Sequence, residues 1–525
     1  MRLGIDFGTT RIVVAVADRG NYPVVSFETE DGAFDWFPPL IALRGAERKF
    51  GWEAWSKQTE PGWTLIRSVK RVLEDAGPDT QLDTGEGLAG VSHLLFGLCA
   101  ALRTQLLQQS SLNAKPGEAL EVMLGVPANA NSNQRFLTVE AFRRAGFSVL
   151  GLLNEPSAAS IEYGHRNRAT ASGSARLLVY DLGGGTFDAS LVEVADKAHS
   201  VTASEGIGTL GGDDFDEILG ELALTAAGES NAELSAAELF HLHEECRQQK
   251  ETLHPNSRKV VVDLGAVRPG WSEVSVAIHD FYEQSRPLLE ETIHAVDDLL
   301  KANSGEDLEA VYLTGGASEL PLVARVLKER FGKKVKRSPY TRSATAIGLA
   351  IQADEQAGYV LRERFSRNFG VWREGDGGRR IIFDVLFARG TKLPGAAEKP
   401  LENARQYIPV HNIGHFRYLE ASNVSADGQP AGDVTMWDEI LFPFDPSLAS
   451  ADLSRATVAY SEDESQRIEE QFTCDATGTV TVTIRNLTSG YKREYRLGRW
   501  SSKADVVAPA KSKHTAAKGK ARAAR

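Results

Sequence analysis

Two short turns carry the residue types that handle phosphate. The first holds Asp6, Gly8, Thr9 and Thr10 in "GIDFGTT"; the second holds Asp181, Gly183, Gly184, Gly185 and Thr186 in "DLGGGTFD". Both run in the order carboxylate, glycine, hydroxyl. Glycines leave backbone N–H groups unshielded, so an anion can approach the chain closely, and threonine hydroxyls add donors. A carboxylate beside each turn repels phosphate unless a cation lies between them, so Asp6 and Asp181 imply Mg²⁺, held directly or through water. A magnesium nucleoside triphosphate satisfies both demands. One such turn alone is more often structural; two matched copies reverse that weighting.

The elements that must position these turns are strands. Residues 4–18 and 180–196 share one layout: strand, Asp, Gly/Thr turn, and a second strand ending in Val-Ala-Asp. Two such hairpins predict a duplicated fold whose two lobes face a cleft. No GxxxxGK[ST] stretch is present, which excludes a P-loop enzyme. Gly206, Gly208 and Gly211 do have GxGxxG spacing, but the helix that follows runs into "AAGESNAELS" and not into a strand ending in an acid. The stretch reads instead as a third phosphate loop, with Gly211 and Gly212 at the approach to a helix N-terminus.

At 525 residues the chain exceeds one hydrophobic core, and two or more domains are expected. Its hydrophobic share of 42% contains no run of membrane-spanning length. Cys99, Cys246 and Cys474 lack disulfide or zinc spacing and read as core thiols in a reducing cytoplasm. The N-terminus reads as a strand and not as an export signal. Strands and helices interleave up to about Ala353, and beyond Ser366 the pattern turns to alternating strands; "DEQAGYVLRERFSRN" is the junction. From Val506 onward the chain carries six Lys/Arg and no acid, against a net charge of -12 overall. That tail reads as a disordered solubilising arm in preference to a nucleic-acid contact.

Six stretches, "GIDFGTT", "GVPANANSNQR", "LLNEPSAASIEYG", "YDLGGGTFD", "LGGDDFD" and "YLTGGASELPLV", occur in the order and nearly the spacing of the ATPase domain of the seventy-kilodalton heat-shock (DnaK-type) chaperones. The chain resembles that family over about residues 1–355. The resemblance implies an α/β actin-like (ribonuclease H-like), two-lobed ATPase domain over 1–355, a linker over 356–367, a β-sandwich over 368–500 that contacts protein segments, and a basic tail over 501–525. It further implies ATP and Mg²⁺ as cofactors, slow hydrolysis, client protein segments as partners, and a co-chaperone or nucleotide exchange factor. By the same resemblance Lys70, in "SVKRVLED", polarises the γ-phosphate and attacking water, and Glu155, Asp181 and Thr186 complete the catalytic set. Asp6 and Asp181 stand by the metal, Lys250 by the nucleotide, and Gly315 and Gly316 beneath the adenosine. Pro127 and Arg135 match the pair that relays nucleotide state to the partner domain.

Several positions depart from the family. In "CRQQKETLH", Arg247 and Glu251 stand with charges reversed from the usual adenine clamp; Glu319 replaces an arginine that stacks on the base, and Arg342 replaces an aspartate. An arginine face stacks on adenine and a carboxylate does not, so the base end is altered while the phosphate end is intact. The second half resembles the family's β-domain only at its first and last strands, and no helical lid follows Leu497. "FPFDPSL" reads as a packed core strand before it reads as a groove. The resulting expectation is an atypical, lidless chaperone-like ATPase. A nucleotide-gated scaffold or sensor is the alternative, whereas a small-molecule kinase of the actin-like superfamily is disfavoured by "NEPSAAS" and "GGDDFD".

Overall fold

The computed structural model describes residues 1–497 apart from 68, 74–79, 84–86, 116, 129, 168–173, 304–306, 376–379, 396–397 and 461–463. The basic tail expected over 501–525 lies outside the described residues.

The two matched hairpins head two sheets. Arg2–Phe7 pairs antiparallel with Ile12–Val16 and parallel with Glu121–Val126, which in turn takes Ser148–Asn154 in parallel. Ser174–Leu182 pairs antiparallel with Phe187–Ala195 and parallel with Ala310–Thr314, in a six-stranded sheet of order Val335–Arg337, Ala310–Thr314, Ser174–Leu182, Phe187–Ala195, Ala198–Ile207, Val360–Arg362. The repeat in sequence is therefore a repeat in pairing: each hairpin's first strand has a parallel neighbour. Near-continuous burial along Ile12–Val16 and Ala310–Thr314 matches their unbroken apolar runs.

Two helices lie between these sheets. Ala344–Ala353 rests on Arg2–Phe7, and Glu155–Arg166 rests on Ser174–Leu182 and Phe187–Ala195. Their contacts are made by missing side chains. A Cβ on Gly4 would meet the Ala350 backbone nitrogen at 2.2 Å, and one on Gly348 would meet the Ala158 carbonyl at 1.8 Å. Helix starts follow local chemistry: Pro156 occupies the first turn of Glu155–Arg166, and Asn131 with Gln134 forms a capping box on Ser132–Arg144. Gly228 at φ 78° ends Gly212–Ala227.

Val360–Arg362, inside the expected junction, is built as a strand running parallel to Ala198–Ser200. Beyond it come two antiparallel four-stranded sheets. One has the order Arg380–Phe387, Asn368–Gly375, Ile413–Val424, Pro430–Pro443; the other has Leu401–Tyr407, Ile468–Cys474, Val480–Asn486, Lys492–Leu497. Strict alternation of burial along Val480–Asn486 sends one set of side chains into a shared cluster that includes Phe369, Tyr418, Phe442, Phe472 and Val482. Phe442 and Phe444 of "FPFDPSL" are buried there, as a core strand requires. Arg373 of the first sheet makes a bidentate pair with Glu470 of the second (2.8 and 3.0 Å) and also holds Asp384 (2.7 Å).

Candidate nucleotide site

Of the sixteen residues expected at the site, all but Gly185 and Gly211 line one cavity of about 100 Å³. The two exceptions stand directly behind it. A Cβ on Gly211 would lie 2.6 Å from the Gly185 nitrogen, and one on Gly184 would lie 2.6 Å from the Thr10 side chain. Only glycine permits this approach of three chain segments. The segments are also tied by backbone: Gly212 N–H donates to the Gly183 carbonyl (2.9 Å) and Asp213 N–H to the Gly184 carbonyl (2.7 Å). Gly315, at φ 82°, sits where any side chain would strike Asp181 Oδ1 and the Leu182 carbonyl. The turn on Gly315 and Gly316 therefore abuts the second phosphate turn.

The floor of the cavity is charged. Lys70 Nζ donates to Glu155 Oε1 at 2.5 Å, with both side chains buried. Burial pushes the Lys70 ammonium down, but Glu155 and Asp6 more than offset it, and its pKa is raised. Asp6 lies well above the usual carboxylate range because it is buried and faces Glu155 and Asp181. Asp181 is pushed up to about 8 by burial, by Glu155 and by Asp188. Asp188, paired with Asp181 across the hairpin, accepts from the Ala128 N–H (2.9 Å). Four carboxylates thus surround one ammonium, an imbalance that a bound cation relieves. Among the described residues no three carboxylate, His or Cys side chains converge closely enough to hold a metal ion. A hard cation bound here would need waters or ligand oxygens to complete its shell, as magnesium commonly does.

At the other end of the cleft the altered charges neutralise one another. Glu251 accepts from Arg11 (2.6 Å), Arg342 (2.9 Å) and Arg247 (3.2 Å). Burial works against its carboxylate, yet the three arginines draw the pKa down to about 2. Glu319 accepts from Arg342 Nε (2.9 Å) and from the Thr341 hydroxyl (3.0 Å). Arg247 also forks onto Glu244, and Arg11 lies over the Trp36 ring, 5.2 Å from its centroid. Lys250 is ion-paired with Asp216 (2.6 Å) and donates to the Gly212 carbonyl, so it braces the Gly211–Gly212 turn while lining the cavity. The reversed charges at Arg247, Glu251, Glu319 and Arg342 are compensated within the set.

Sequence reasoning missed Arg11, Glu244, Asp216 and Trp36. Glu244 was recoverable, since it stands three residues before Arg247 on one helix, as Glu251 stands four after. Arg11 directly follows Thr9 and Thr10, but nothing local shows that it reaches across to Glu251.

A chain of buried groups leaves the floor. Asn154, next to Glu155, accepts from Arg135 Nη2 (2.5 Å) and donates from both its N–H and its amide to Glu363 (2.8 Å each). Burial lowers the Arg135 pKa, with Glu363 and Glu420 opposing it. Arg135 thus faces Glu420 on Ile413–Val424 of the β-rich half.

A family model described as "Hsp70 protein" matches residues 102–364, half of the chain. The chain belongs to the Hsp70 family. Membership carries an actin-like ATPase fold, ATP binding and ATPase activity of the chaperone-like kind. The matched stretch holds the turns at Asp181–Thr186 and Gly211–Gly212 and Glu155; Asp6 and Lys70 fall before it. In the fold of this Hsp70 protein those two residues nonetheless line the same cavity as Asp181. Among the described residues no helix is long and apolar enough to cross a membrane.

Proposed function

We propose that this Hsp70-family protein binds ATP with Mg²⁺ and hydrolyses it slowly, using the bound nucleotide to control a β-sandwich that contacts protein segments. The observation that carries this reading is the convergence of two phosphate turns on a buried Lys70–Glu155 pair. In it the nucleotide-binding domain spans 1–355 in two lobes, the linker 356–367 and the sandwich 368–500.

The backbone of Gly183, Gly184 and Gly185, with Thr9, Thr10 and Thr186, receives the phosphates. Asp6 and Asp181 would hold magnesium, and the bound ion would neutralise phosphate charge. Lys70, kept protonated by Glu155, directs its ammonium at the γ-phosphate and at the water aligned by Asp181. The Arg135–Asn154–Glu363 chain joins the residue next to Glu155 to the segment entering the β-rich half, which supports coupling between the two. Buried, unpaired Cys99, Cys246 and Cys474 suit a reducing cytoplasm.

The test is ATP turnover by the purified chain with and without an unfolded peptide, beside Lys70→Ala. Turnover that needs Mg²⁺, falls with Lys70→Ala and responds to peptide supports the reading. Turnover blind to Lys70 and to peptide rejects it.

A further inference from the structure

The strand Ala198–Ile207 is covered on one side along its whole length and on the other along less than half. Phe187–Ala195 pairs with it throughout. On the outer side Val360–Arg362 runs beside it only as far as Ser200. There the chain peels away, because its backbone groups are taken by another segment: Leu393 N–H donates to the Glu363 carbonyl (2.8 Å), Phe365 N–H to Thr391 (2.9 Å), and Gly390 N–H to Phe365 (2.8 Å). In an antiparallel pair alternate residues direct their N–H and C=O groups away from the partner. From Val201 to Gly206 those outward groups meet no strand among the described residues.

This open edge floors a cavity of about 770 Å³, within the range of ligand sites. One wall is the C-terminal end of the helix Ile278–Ala302, through Leu299 and Ala302; the other holds Arg364, Arg367 and Arg389. Arg364 donates from Nη1 to the Gly390 carbonyl (2.8 Å), while its Nε is buried with no hydrogen-bond partner among the described residues. Arg389 is exposed and donates to the Ser422 carbonyl (3.3 Å). Of the two acids lining the cavity, Glu363 is already held by Asn154 and Glu205 stands on the floor. A row of backbone groups that meet no strand among the described residues, flanked by Arg364 and Arg389, is a surface for a chain that brings both backbone and carboxylates.

We propose that this groove accepts an extended acidic segment of a partner protein as an added strand along Val201–Gly206, its carboxylates held by Arg364 and Arg389. Main-chain hydrogen bonds supply the affinity, and the guanidinium forks select carboxylate side chains. The added strand touches the six-stranded sheet and the β-rich half at once. It also lies on the strand that leads into Gly211 and Gly212, so its arrival acts on the third phosphate loop.

The probe is a fluorescein-labelled peptide of six to eight alternating Val and Glu residues, titrated against the full chain by anisotropy. Saturable binding is expected, weakened about tenfold or more by high salt, and lost on N-methylation of alternate peptide nitrogens. A Val/Lys peptide does not bind the native chain, and Arg364→Glu with Arg389→Glu exchanges the preference. Hydrogen exchange on the unmodified chain gives a readout that needs no variant: the Val/Glu peptide slows the amides of 201–206. Equal binding of the N-methylated peptide, or no protection at 201–206, overturns the proposal. So does Val/Glu binding that survives in a folded double variant.

Discussion

The two ends of the cleft are built on opposite electrostatic plans. At the phosphate end Asp6, Glu155, Asp181 and Asp188 crowd a single ammonium, and carboxylate pKa values rise. At the base end Arg11, Arg247 and Arg342 surround Glu251, whose pKa falls to about 2. One end gathers like charges that protonation or a bound cation relieves; the other is neutralised by its own side chains. A site that must bind a charged ligand tightly benefits from the first plan. The second spends its charges on holding the fold together, which leaves fewer arginine faces for a base.

The largest test of this contrast is Lys70→Ala. ATP turnover is expected to fall about 10²–10³-fold, as for loss of one preorganised charge at a reacting centre, while nucleotide affinity measured by calorimetry changes far less. Equal losses in both would mean that Lys70 serves binding alone.

Next in size is Glu251→Ala, which leaves three arginines facing one another. Urea unfolding should show a loss of about 2–3 kcal/mol, somewhat below a fully buried broken pair. The pH dependence follows from the depressed carboxylate. Stability from Glu251 is present above about pH 4.5 and is lost as pH falls toward 2, so the gap between variant and native chain closes over that window.

Asp181→Asn should do the reverse in the ligand-free chain. A carboxyl raised to about 8 stays largely protonated in the folded chain near neutrality, whereas the unfolded chain ionises it, so folding works against its ionisation and replacing it stabilises by roughly 1–2 kcal/mol at pH 7 while turnover is lost. A destabilised Asp181→Asn chain would place the stored repulsion elsewhere.

The smallest effect concerns the base. With its arginines engaged by Glu251 and Glu319, the site should prefer ATP over GTP by less than about tenfold, or ~1.4 kcal/mol, in competition against a fluorescent nucleotide. A preference of a thousandfold would show that the ionic set opens to read adenine.

The two turns that meet at the cavity were legible because their signal is local. Asp6 to Thr10 and Asp181 to Thr186 are contiguous, and glycine in a turn announces close approach. The sheets were legible for a similar reason, since the hairpins at 4–18 and 180–196 pair within themselves. The base end was legible only in part. Resemblance picked out Arg247, Glu251, Glu319 and Arg342, but Arg11 and Glu251 stand 240 residues apart, and nothing local shows that they meet. The peeling of the chain at Glu363 was equally hidden, because it depends on carbonyls claimed by residues near Leu393.

The crossing at Gly348 and Ala158 lets backbone touch backbone. Interlocked side chains resist rotation like meshed gears, but at Gly348 there is no tooth to mesh. The helix Ala344–Ala353 lies on the sheet carrying Asp6, and Glu155–Arg166 lies on the sheet carrying Asp181. Any turn of one helix on the other would therefore swing the turns at Asp6 and Asp181 like the jaws of a hinge whose pin is a glycine.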